Sequence, residues 1–183
     1  MKTKIQNLLK EMIPVILGIL IALFINDWKE NKDNDQFLNV VMGSISEELK
    51  ENKTELTRLI EEHKSLLDTI AFYRENEEVS MGAIISKAKG VRVVSIKNTA
   101  WKTLMNSHID LVEYEKISLL TNIAVDKVSM ESKFERLTDL IYEKIGSTDN
   151  LDKELFHITI NDLLYLEGEL LESHEEFLKL QSQ

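Results

Sequence analysis

The sequence predicts an all-α protein: one N-terminal transmembrane helix followed by an extramembrane antiparallel helical bundle with long coiled-coil-like helices. Three observations predict it. Residues 12–26 form a fifteen-residue run without a charge, and from Leu38 to Tyr73 apolar residues recur in alternating steps of four and three. The single β-like run, Val91-Arg92-Val93-Val94-Ser95-Ile96, is too isolated to build a sheet and is read as an extended connector.

Ile5, Leu8 and Leu9 before the charge-free run and Trp28 after it extend its apolar character to the ~20 residues a bilayer needs. A cleavable signal peptide fits poorly, because the run ends Leu23-Phe24-Ile25-Asn26-Asp27-Trp28, bulky where a peptidase wants small residues. Lys2, Lys4 and Lys10 precede the run, whereas Lys29 and Lys32 after it are diluted by Asp27, Glu30, Asp33 and Asp35. That asymmetry predicts a cytoplasmic N-terminus and, in a bacterial inner membrane, a periplasmic C-terminal domain. The expected division is a cytoplasmic segment 1–10, a transmembrane helix 11–28, a polar linker 29–36 able to continue as helix, and a helical bundle domain 37–183.

At 100° per residue, Glu11, Gly18 and Ala22 fall within about 20° of one line, with Asn26 about 60° away. Gly18-x-x-x-Ala22 lets two helix backbones approach, and Asn26 offers a hydrogen bond across such a contact, so this face is the expected membrane-helix interface. Glu11 has no base three or four residues away. It is read either as an intramembrane acid facing a neighbour or as an interfacial carboxylate near the helix N-terminus.

These residues also carry a resemblance. Glu11-Met12, then Val15-Ile16-Leu17-Gly18-Ile19-Leu20-Ile21-Ala22-Leu23, then Asn26-Asp27-Trp28-Lys29-Glu30 resembles, without a gap over about twenty positions, the N-terminal signature of a family of small single-pass Bacteroidota membrane proteins. The family pattern runs Gly-Glu-Ile, Val-Val-Ile-Gly-Ile-Leu-Ile-Ala-Leu and Asn-Asn-Trp-Asn-Glu. The chain departs from it at Lys10, Pro14, Phe24 and Asp27, and Thr99-Ala100-Trp101-x-x-Leu104 with Ser107 is a weaker echo of a second family segment. The resemblance implies an anchor plus a helical domain and supplies no catalytic residue.

Beyond the linker, the stripe Leu38, Met42, Ile45, Leu49, Asn52, Leu56, Leu59, His63, Leu66, Ile70 and Tyr73 spans five heptads, and Ile60 and Leu67 widen it as a multi-helix core requires. Asn52 and His63 are its two polar members and the candidates for fixing bundle register. Glu75-Asn76-Glu77-Glu78 ends this helix, a short helix over 80–90 closes at Gly90, and Asn98 or Thr99 caps another in which Trp101, Leu104 and Met105 point inward. A second long helix is expected from about Leu111–Glu113 to Ile145, burying Ile117, Leu120, Ala124, Val128, Phe134, Leu137, Ile141 and Ile145, with Gly146 as its left-handed stop. The last should run from the Ser147–Asn150 capping cluster to about Leu180, burying Leu155, Ile158, Leu163, Leu166, Leu170, Phe177 and Leu180, with Gly168 marking close packing.

Composition narrows function mainly by exclusion. No Cys rules out disulfides and thiolate metal or redox chemistry, and the formal charge of −10 argues against nucleic acid as a partner. Residues 1–26 hold three Lys and one Glu, so the remainder carries 19 bases, 31 acids and a charge of −12. No phosphate loop, zinc motif or nucleophile elbow is present, and Glu154-x-x-His157 is half of a di-iron pattern without its other half. Neither enzymatic activity nor a cofactor, metal or small-molecule substrate is expected. The expected partners are the lipid bilayer and either further copies of the chain or another membrane protein. The expected role is a membrane-anchored scaffold or adaptor acting by protein contact. The alternatives are a sensory module of the cell envelope or an accessory subunit of an ion-coupled complex, the last resting on Glu11 alone.

Overall fold

The computed structural model describes residues 2–181, with side chains from residue 12 onward. Five α-helices account for most of them: α1 (Lys2–Tyr73), α2 (Met81–Lys87), α3 (Thr99–Met105), α4 (Tyr114–Lys144) and α5 (Asn150–Gln181), with a 3₁₀ turn at Ile109–Leu111. No strand occurs among the described residues, and the Val91–Ile96 run is extended but unpaired. The chain divides into two compact units, Met1–Gly43 and Ser44–Gln183.

The first unit is the leading part of α1, with Pro14 inside the helix. It carries a stretch of mean hydropathy 1.7, long and apolar enough to cross a membrane. Its large apolar side chains from Met12 to Ile25 stand about half exposed or more, the reverse of a soluble core helix. Trp28 closes the stretch, with the Lys32 ammonium 5.5 Å from its ring centroid, a pairing suited to the membrane–water boundary. The polar residues 29–36 continue as helix.

In the second unit, α5 runs antiparallel to α1, as Lys53–Glu175 at 2.9 Å, His63–Glu167 at 2.8 Å and Arg74–Glu154 at 2.6 Å fix. It is antiparallel to α4 as well, through Lys133–Asp162 at 2.9 Å and Lys144–Asp152 at 3.3 Å. The α1 core stripe is as expected from Ile45 to Ile70, while Leu38, Met42 and Tyr73 are half-buried. Segment 91–100 returns along α1, held by its backbone to His63, Asn52 and Glu48 in turn. Glu48 caps α3, accepting from the Ala100 amide at 3.1 Å, so the cap comes from another helix, and Asn98 at the N-cap position makes no side-chain capping bond.

Several expected core positions shift. In α4 the buried residues are Leu120, Ile123, Met130, Phe134 and Leu137, and Val128 and Ile145 are exposed, as is Met105 in α3. In α5 the buried stripe is Lys153, Phe156, Ile160, Leu163, Glu167, Leu170, His174 and Phe177, while Leu155 and Ile158 face out. The cause is that three of its eight members are polar, and each is buried because it has an internal partner.

The turns agree with expectation in part. Gly90 closes α2 as expected, with φ 100° and its amide donating to Ile85 O, beside Lys89 at φ 66°, whose amide donates to Ser86 O, but Gly146 is not left-handed. Gly168 has open space where a Cβ would stand. The close approach is at Gly82 instead, whose amide donates to Ile145 O at 2.7 Å and whose added Cβ would meet that oxygen at 2.9 Å. The capping cluster behaves as expected: Asp149 Oδ1 accepts from the Leu151 amide at 2.6 Å.

Candidate functional site

Five polar side chains lie inside the second unit, each 2% exposed or less: Asn52 and His63 from α1, and Lys153, Glu167 and His174 from α5. They form three levels along the α1–α5 seam.

At one end, Lys153 Nζ donates to Asn76 O at 2.7 Å and Arg74 O at 3.3 Å. Both carbonyls belong to the turn just past the end of α1, whose last carbonyl, Tyr73 O, accepts from the Asn76 amide at 3.1 Å, and the negative end of the helix dipole favours a cation there.

In the middle, His63 Nε2 lies 3.1 Å from Arg92 O. A carbonyl can only accept, so Nε2 carries a proton. Nδ1 faces Glu167 Oε1 at 2.8 Å, close enough for an ion pair but off the line of a hydrogen bond, and neither carboxylate oxygen has another hydrogen-bond partner. The Phe134 ring, 6.2 Å from the imidazole centroid, helps close the level from α4.

At the third level, Asn52 clamps the returning connector at both backbone groups of Lys97: Oδ1 accepts from its amide at 2.9 Å and Nδ2 donates to its carbonyl at 2.8 Å. This is the pair of bonds a neighbouring strand would make. Asn52 Nδ2 also lies 3.4 Å from His174 Nε2, and His174 Nδ1 lies 2.6 Å from Leu170 O. Burial lowers the proton affinity of His174 below the ordinary imidazole value, against the pull of the Leu170 carbonyl. A neutral ring with Nδ1–H donating and Nε2 accepting satisfies every partner.

The register candidates Asn52 and His63 are therefore brought into one seam, whereas sequence reasoning passed over Lys153 and Glu167 and read His174 only as part of the solvated Glu172–Glu176 run. The available signal was their seven-residue spacing: 153, 160, 167 and 174 share one helical line, and only Ile160 on it is apolar. Gly18, Ala22 and Asn26 are exposed on α1, with open space around Gly18, and Glu11 is helical but its side chain lies outside the described ones. Glu154 is engaged by Arg74, and among the described residues no three His, Asp or Glu side chains gather as a metal site.

No family model matches the chain, and neither a curated protein nor a solved structure shows significant similarity to it.

Proposed function

We propose that this protein is a single-pass membrane scaffold or adaptor, without catalytic activity, whose extramembrane antiparallel helical bundle acts by contact with other proteins. The observation that carries this reading is the division of the chain. An exposed apolar helix of membrane-crossing length joins a helical unit whose five fully buried polar residues face one another or the backbone of the same unit rather than a ligand. The basic flank of residues 2–10 favours a cytoplasmic N-terminus and a periplasmic domain in a bacterial inner membrane. The N-terminal resemblance to the Bacteroidota family supports the same architecture.

With no native thiol, topology is testable directly: a cysteine replacing Ser147 reacts with an impermeant maleimide in intact spheroplasts, and one replacing Thr3 does not. Cross-linking in native membranes then identifies contacts. Gly18→Ile weakens them if the Gly18–Ala22–Asn26 face is an interface, whereas no cross-linked partner or second copy would sink the scaffold reading. A sensory role is favoured by one feature, that α1 is a single helix from the apolar stretch to Tyr73. It requires that a stimulus applied to the bundle alter labelling at position 3.

A further inference from the structure

The residues of α5 half a turn away from its core stripe are 151, 155, 158, 162, 165, 169, 172 and 176, again alternating steps of four and three. In order they read Leu, Leu, Ile, Asp, Tyr, Glu, Glu, Glu. The apolar half is open to solvent: Leu151 is 79% exposed, Leu155 and Ile158 49%, and Tyr165 66%. Asp162 is held by Lys133 of α4. The acidic half borders a groove of about 340 Å³ between α4 and α5, where Asp126 joins Glu169, Glu172 and Glu176.

We propose that this outer face of α5 is a docking surface for a cationic amphipathic helix from a partner protein, with apolar residues over Leu151, Leu155, Ile158 and Tyr165 and Lys or Arg over Glu169, Glu172 and Glu176. The inference rests on the scaffold reading and names the surface and the chemistry of its partner. A core-grade heptad pattern on a solvent face has no use within the fold, since the opposite stripe already supplies the core. The charge pattern selects the occupant. A second copy packed in parallel would set Glu169, Glu172 and Glu176 against themselves, and an antiparallel copy would match the apolar halves while leaving both acidic halves unanswered. A helix of about 25 residues, some 38 Å long, with its bases in one half answers seven of the eight positions at once, Asp162 being held already by Lys133. Burial, together with the nearby Glu169 carboxylate, raises the proton affinity of Asp126, the direction expected of a groove short of positive charge.

The test uses the full chain in nanodiscs and labelled helical peptides of about 25 residues carrying three Leu, Ser, Leu and three Lys at successive a and d positions, made in both orders, with Glu-for-Lys counterparts. Fluorescence anisotropy should show a Lys peptide binding at least tenfold more tightly than its Glu counterpart, with affinity falling as salt is raised. Ile158→Glu and Tyr165→Glu, both at exposed positions, should each weaken it about tenfold. Glu169→Lys with Glu172→Lys and Glu176→Lys should invert the peptide preference. The same charge change at Glu61, Glu77 and Glu78 should leave it unchanged; equal loss there would reduce the binding to net-charge attraction and overturn the proposal. So would failure of every peptide to bind, or dimerisation of the chain in nanodiscs abolished by Ile158→Glu, which would make the stripe a self-contact. If native-membrane cross-links persist unchanged in Ile158→Glu and Tyr165→Glu, the scaffold reading stands and the α5 surface falls.

Discussion

Replacing His63 and Glu167 one at a time and together gives the sharpest test of the buried seam. At 2.8 Å, unit charges attract by roughly 6 kcal/mol with an effective dielectric of about 20, while burying each ion costs several kcal/mol. The two nearly cancel, so the pair as a whole contributes little, and what matters is the cost of separating its members. His63→Leu leaves the Glu167 carboxylate, 0% exposed and with no other hydrogen-bond partner, uncompensated, and should cost about 3–5 kcal/mol. Glu167→Leu leaves a neutral imidazole still bonded to Arg92 O, with only Nδ1 unanswered, and should cost about 1–3 kcal/mol. The double Leu variant removes both demands and should fall within about 1 kcal/mol of the native protein, more stable than either single variant. Urea unfolding of the full chain in mild detergent, followed by ellipticity at 222 nm, measures all four corners of the cycle. Additive losses would refute the reasoning, because they would mean that His63 and Glu167 are each stabilised by something other than the other.

The remaining predictions concern the turns, the second histidine and the seam's alignment. Gly82→Ala should destabilise by about 1–3 kcal/mol, because its Cβ would meet Ile145 O at 2.9 Å, whereas Gly168→Ala, in open space, should stabilise by up to about 1 kcal/mol; urea midpoints distinguish them. Lys89→Gly should stabilise by about 1 kcal/mol by relieving a non-glycine residue at φ 66°, and an unchanged midpoint would show that the left-handed turn carries no strain. His174 binds its proton less readily folded than unfolded, so the unfolded state holds more protons and stability falls as pH drops below about 6.5; His174→Gln should flatten that slope in urea titrations between about pH 7 and 5. Cysteines replacing Lys53 and Glu175 should cross-link under oxidation, and the Lys53/Gly168 pair, one heptad out, should not; cross-linking of the latter would show that the polar levels do not fix the alignment.

The periodicity that made α1 readable was the same signal that misled in α5. In α1 the stripe is apolar except at Asn52 and His63, so the buried face could be traced through them. In α5, Lys153, Glu167 and His174 interrupt the true stripe while Leu151, Leu155, Ile158 and Tyr165 populate the opposite one. Hydropathy alone therefore favours some residues of the wrong face. What decides is the partner of each polar group: the Arg74 and Asn76 carbonyls in the turn after α1 for Lys153, His63 for Glu167 and Asn52 for His174. Those partners sit 77 to 122 residues away in the chain and leave no local trace. Turn chemistry was readable where it is local, at Gly90 and the Ser147–Asn150 cap, and failed where it is not. Gly146 and Gly168 suggested special backbone, yet the glycine with no room for a Cβ is Gly82, whose requirement comes from Ile145 across the fold.

Why a helical core should carry so many polar groups follows from the repeat itself. With apolar residues every three or four positions on both helices, sliding α5 along α1 by seven residues would keep most apolar positions facing apolar ones. Apolar packing is thus nearly indifferent to a one-heptad error. The polar levels are not. From the observed pairing of His63 with Glu167, a seven-residue slip in either direction would carry Glu167 toward Leu56 or Ile70, burying a carboxylate without a partner at a cost of several kcal/mol. The same slip would draw Lys153 off the α1 terminus and His174 off Asn52, so all three levels fail together. Because the Lys97 clamp hangs on Asn52 and the Arg92 carbonyl on His63, the alignment of α5 is tied to the placement of the connector that leads into α3 and α4. The polar seam adds little net stability to the native alignment, but it makes the neighbouring alignments costly.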